Sequence, residues 1–135
     1  MVFEGLAEFA EWGFLALRIA VGVIFIWHGW PKITGARGMA AAMGGGEAKP
    51  ALVGMVTIQG VVEAGGGVLM ILGVLTQLVA LAFIIIMIGA IALKNTMWKT
   101  GFMSQQTTGW EFDLVLLAAN LLLFLAGPGE IAIQS

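Results

Sequence analysis

The chain predicts an all-α fold, an integral membrane four-helix bundle, on three observations. Its 135 residues are 60% hydrophobic and only 10% charged, far from the balance of a soluble globular domain. Four apolar stretches, about residues 12–30, 52–73, 77–94 and 111–127, occupy most of the length and approach the roughly 17 to 25 residues a spanning helix needs. What remains between them is too short for a soluble catalytic domain, so residues 1–135 read as a single transmembrane domain.

The first span is preceded by Phe3 to Glu11, where three glutamates alternate with apolar residues. This segment reads either as an amphipathic piece lying in the interface or as an extension of the first helix. It carries no Lys or Arg and no small-residue cleavage site, which argues against a signal peptide. Gly29-Trp30-Pro31 is expected to end the span, because proline disfavours helix at the residue before it. Trp27 and Trp30 then fall in an interfacial aromatic belt.

Residues 31–51 are rich in Gly and Ala and read as a loop, with room for a short surface helix at Met39 to Met43. The second span carries Gly60, Gly65, Gly66, Gly67 and Gly73, small residues that let helices approach closely. The third, LVALAFIIIMIGAIAL, has no polar side chain and suits a lipid-facing position. The link from Lys94 to Glu111 adds Trp98, Trp110 and a polar run from Ser104 to Thr108. Gly127-Pro128-Gly129 stops the fourth span.

Charge placement suggests an orientation. Lys32, Arg37 and Lys49 lie in the first link and Lys94 and Lys99 in the third, while the remaining turn and both terminal segments have no basic residue. The positive-inside rule then expects a multi-pass protein of the inner (cytoplasmic) membrane with both termini outside. Cysteine is absent and there is one histidine, so iron–sulfur clusters, thiol catalysis and bis-histidine haem are not expected from this chain, nor is a metal site. Nothing points to nucleic acid.

Two groups of polar residues carry the chemistry. Within the spans, Arg18 and Glu63 are costly in hydrocarbon unless paired or facing a protected interior. Counting about 1.5 Å per residue inward from Gly29 and from Leu52 puts both about 16 Å deep, where they are expected to meet. Gln59 lies one turn from Glu63 on the same helix face, and Asn120 falls at a depth like that of Gln59. The four would make a polar track, although interhelical hydrogen bonding alone also accounts for Gln59 and Asn120. At the surface shared by the first and third links, His28, Trp30, Lys32, Lys94, Trp98, Trp110, Glu111 and Asp113 are expected to converge on one mouth. There His28 would donate to or accept from a carbonyl or hydroxyl, Lys32 or Lys94 would stabilise an anion, and Glu111 would relay protons. An ordinary interfacial belt of tryptophans and snorkelling lysines is the plainer alternative.

The segments LALRIAVGVIFIWHGWPKI, GVVEAGGGVLMILGVLTQLVAL and GWEFDLVLLAANLLLFLAGPGE together resemble the DoxX family of small membrane proteins. The shared pattern is an arginine ten residues before His-Gly, a lysine shortly after, a glutamate followed by glycines, and Gly-Pro-Gly after the last span. Arg18, His28, Gly29, Lys32, Glu63 and Glu111 fall on the family's characteristic positions. The resemblance implies a four-helix bundle and, by similarity to the membrane subunits of thiosulfate:quinone oxidoreductases, a place near quinone chemistry. The expectation is a membrane subunit of an oxidoreductase system. His28, Lys32 and Glu111 would be catalytic, and Arg18, Trp30, Gln59, Glu63, Lys94, Trp98, Trp110 and Asn120 would hold a quinone. Electrons would come from a redox partner subunit, and the chain could form homo-oligomers. A non-catalytic scaffold or anchor of a larger complex, and a small proton-coupled transporter with Glu63 titrating, are the competing classes.

Overall fold

A computed structural model describes residues 2–134, and among them every regular element is helical. A 3₁₀ turn (Glu4–Phe9) runs into α1 (Ala10–Thr34); α2 (Ala36–Met43), α3 (Pro50–Leu72), α4 (Thr76–Thr96) and α5 (Trp110–Ala126) follow. The fold is an all-helical membrane bundle with five α-helices instead of four, the additional one being α2 in the first link. The 3₁₀ turn with α1, α3 and α4 are the three segments long and apolar enough to cross a membrane. At 17 residues α5 sits at the lower limit of spanning length.

Pro31 does not end α1, which continues through it to Thr34. Proline there removes one N–H from the helix ladder, in its last turns and beside the exposed Trp27 and Trp30. α2 seats Ala36 and Ala40 as its buried face, packed on α3. α3 starts with proline in its first turn and stops at Gly73 (φ +73°), with the Val74 N–H donating to Leu69 O at 2.9 Å, a glycine-terminated helix end.

The bundle is two antiparallel pairs, α1 with α3 and α4 with α5, joined chiefly through α3 with α4 and α1 with α5. Between the pairs lies a core of Val21, Phe25, Met70, Val79, Ala80, Phe83, Met87, Leu116 and Leu123. Phe25 and Phe83 stack with centroids 3.6 Å apart at its middle.

Glycine sets the register of the first pair. A Cβ on Gly67 would lie 2.6 Å from Gly22 O, and one on Gly29 would lie 2.8 Å from Gly60 O. Both helices therefore approach backbone to backbone at positions seven residues apart in each chain segment. This pairing, 22 with 67 and 29 with 60, sets Glu63 level with Ile26 and Arg18 level with Ile71. Eight residues, about 12 Å along the axis, separate the two charges.

Candidate functional site

At the end of the bundle that carries the first and third links, α1 and α3 place Lys32 against Glu63. Lys32 Nζ donates to both carboxylate oxygens at 2.7 Å, and Gln59 Nε2 donates to Oε1 at 3.2 Å. The carboxylate is 2% exposed and the lysine 22%, so the acid is enclosed while the ammonium keeps access to the surface. The geometry depends on the glycine seam: a Cβ on Gly60 would stand 2.8 Å from Lys32 Cβ, so the lysine crosses α3 where α3 has no side chain.

The second pair is built by α4 and α5. Lys94 Nζ lies 2.6 Å from Asp113 Oδ2, 2.9 Å from Thr108 Oγ1 and 3.4 Å from Gly109 O. Lys94 is 8% exposed; it donates to Thr108 and Gly109 and is ion-paired with Asp113, whose Oδ2 accepts no hydrogen bond among the described residues. The link before α5 folds back to make the site, with Trp110 N–H donating to Gly101 O and Glu111 N–H to Phe102 O. Gly109 packs on the Gly101 and Phe102 carbonyls, where a Cβ would collide.

His28 stands between the two pairs. Its ring packs on Phe112, centroids 5.5 Å apart, and it lies in the field of Lys32, Glu63, Lys94 and Asp113 together. Among the described residues neither ring nitrogen makes a hydrogen bond, and the side chain is exposed. Trp27, Trp30 and Trp98 are exposed at the same end, and Trp110 meets Phe102 edge-on at 4.5 Å.

The structure thus joins His28, Lys32, Gln59, Glu63 and Lys94, with Trp30, Trp98 and Trp110 nearby on the surface. It does not bring Arg18 to Glu63. Arg18 lies at the opposite end, where Nη2 donates to Ile131 O at 2.5 Å and Nη1 lies against Gly73. Asn120 is fully buried but donates to Leu116 O in its own helix, so the expected polar track is interrupted. Glu111 is half-buried and makes no side-chain hydrogen bond or ion pair among the described residues. The acid that engages a lysine is Asp113. A sequence signal for it existed: Asp113, Leu116, Asn120 and Leu123 recur at helical spacing and form the buried stripe of α5, which Glu111 does not join. Phe112 and Thr108 were not singled out, and nothing local distinguishes them.

Chemically, the cluster offers a charged donor with a spare N–H (Lys32), an unpartnered imidazole and aromatic walls at the membrane boundary. The chain is 33% identical over 124 residues to "Putative oxidoreductase CatD" of Bacillus subtilis (strain 168), covering 92% of this chain and 86% of the relative. It is 31% identical over 127 residues to "Inner membrane protein YphA" of Escherichia coli (strain K12), covering 89% and 86% respectively. No solved structure matches at a comparable level of significance. The DoxX family model matches residues 13–96, which span α1 to α4 and hold every residue of the Lys32, Glu63, Gln59 and His28 cluster, and the chain belongs to the DoxX family.

Proposed function

We propose that the chain is a membrane subunit of an oxidoreductase system and that the mouth around His28 and Lys32 binds a quinone or similar lipophilic redox molecule. The carrying observation is the exposed, unbonded His28 imidazole resting on Phe112 between two lysine–carboxylate pairs. A quinone ring needs flat apolar contact and a donor at each carbonyl oxygen, and these residues fit both requirements. When bound, it would supply two-electron, two-proton redox chemistry, with electrons delivered by a partner subunit.

The roles of the residues follow from their saturation. Lys32 spends two N–H groups on Glu63 and keeps a third for a carbonyl oxygen. Glu63, steadied by Gln59, holds that ammonium in place. His28 donates to or accepts from the second polar atom, at the boundary where protons enter. Lys94 and Asp113 lock α4 to α5 and are positioning residues. The family resemblance and the name of the Bacillus relative support a redox role. Lysines at this end support a cytoplasmic mouth in an inner membrane.

The test is extraction of the protein purified in native lipid. We expect about one quinone per chain, and its loss in His28→Leu with the fold intact by circular dichroism. No retained or added quinone bound by the wild-type chain overturns the proposal. The burial of Lys94 against Asp113 favours one second reading, a non-catalytic anchor held by internal ion pairs. In that case His28→Leu would leave partner activity unchanged.

A further inference from the structure

The far end of the bundle, away from the mouth, holds polar groups that the redox reading does not use. The turn from α3 to α4 is tight, with Gly73 and then Leu75 in left-handed backbone (φ +73° and +52°). α4 therefore begins at Thr76 without a side-chain cap, and the amides of its first turn have no intrahelical acceptor. The tail folds over this turn, with Ile133 N–H donating to Leu72 O and Gln134 N–H to Gly73 O, both at 3.1 Å. Gln134 Oε1 accepts from the Leu75 N–H at 2.9 Å.

Between the turn and the tail lies an open cleft of about 330 Å³ lined by Leu75, Thr76, Gln77, Leu78, Pro128 and Gln134. Thr76 lines this cleft and is 3% exposed; its hydroxyl, enclosed beneath the wall, has no hydrogen-bond partner among the described residues. Arg18, 1% exposed, sits behind Gly73 with Nε and Nη1 also unpartnered. A helix N-terminus, a buried unbonded hydroxyl and a buried guanidinium with no carboxylate in salt-bridge range all call for an anionic oxygen. The α3 to α4 turn also belongs at the membrane surface, since both helices that it joins are apolar spans.

Leu75 and Leu78 also line an apolar groove of about 200 Å³ that runs between α3 and α4 past Val79, Gly66 and Phe83 to Val62. A polar cleft at headgroup level that shares Leu75 and Leu78 with an apolar groove along two spanning helices suits the two parts of a phospholipid. Charge selects among phospholipids. Among the described side chains, Glu4, Glu8, Glu11 and Glu130 belong to this end, four carboxylates against the one guanidinium of Arg18. That field opposes a purely anionic headgroup and favours one whose phosphate is accompanied by an ammonium.

We propose that this chain binds an aminophospholipid here. The phosphate sits at the α4 N-terminus and Thr76, near the buried Arg18; the ammonium faces Glu130; and one acyl chain lies in the α3 to α4 groove. It is independent of the quinone site at the opposite end.

The experiment is native mass spectrometry of the full chain released from nanodiscs of equimolar phosphatidylethanolamine and phosphatidylglycerol. The expected result is one retained phosphatidylethanolamine, preferred about fivefold, with no displacement by excess inorganic phosphate. Thr76→Val, which keeps the branched shape, should lower occupancy about fivefold by removing one hydrogen bond. Ala82→Phe, which fills the groove, should lower it further. Glu130→Gln, at an exposed tail position that leaves the fold intact, should erase the preference while total lipid stays bound. Preference for phosphatidylglycerol, displacement by inorganic phosphate, or wild-type retention in both Thr76→Val and Ala82→Phe would overturn the proposal.

Discussion

Replacing Lys32 by Met should destabilise the bundle far more than removing the whole pair. Lys32 Nζ sits 2.7 Å from each Glu63 oxygen, and the carboxylate is 2% exposed. At an effective dielectric of about 20 the gross attraction is about 6 kcal/mol, most of which offsets the desolvation of the two ions. Lys32→Met retains the side-chain stem along Gly60 but strands a buried carboxylate with only Gln59 as donor. The expected cost is about 3 to 5 kcal/mol. Lys32→Met combined with Glu63→Leu removes both charges and should return to within about 1 kcal/mol of wild type. Reversible unfolding in mixed micelles, followed by helical circular dichroism, measures all three chains. A neutral Lys32→Met, or a double variant no more stable than the single, would refute the ion-pair reasoning.

The glycine seam gives a contrasting pair. Gly67→Ala places a methyl group 2.6 Å from Gly22 O and should cost about 1 to 3 kcal/mol, whereas Gly65→Ala meets nothing within 4 Å and should be neutral or stabilising by up to about 1 kcal/mol. The same unfolding assay separates them. Asp113→Asn strands the buried Lys94 and is expected to cost about 3 to 5 kcal/mol, while Glu111→Gln should change stability by no more than about 0.5 kcal/mol; equal effects would show that the wrong acid has been assigned. Ending the chain after Gly127 removes the Ile131 carbonyl from Arg18, a charged hydrogen bond of about 1.5 to 3 kcal/mol, and should lower the melting temperature even though α1 to α5 remain whole.

Much of the architecture was legible in the sequence because lipid permits little else: apolar runs of spanning length must form helices that satisfy their own backbone. The Gln59 and Glu63 pair was legible for the same reason that any i, i+4 pair is. The partner of Glu63 was not. Counting depth from Gly29 and Leu52 assumes that the helices start at one plane, but α1 continues through Pro31 to Thr34 and α3 begins at Pro50. The glycines held the correct register, since Gly22 and Gly29 match Gly60 and Gly67 in spacing, and that pairing alone moves Glu63 away from Arg18. The roles of the two basic partners were hidden by long-range contacts. Arg18 is covered by a tail more than a hundred residues away, and Lys94 donates to a link whose fold no local pattern dictates.

The central claim is that His28 and Lys32 form a quinone-binding mouth at the link end of the bundle. Its most direct measurement is quenching of tryptophan fluorescence by a short-chain quinone titrated into the chain in nanodiscs, since Trp27, Trp30, Trp98 and Trp110 lie at that end. Saturable quenching is expected, weakened at least about tenfold in His28→Leu and unchanged in Glu111→Gln. Quenching that never saturates, or that is identical in His28→Leu, would contradict it.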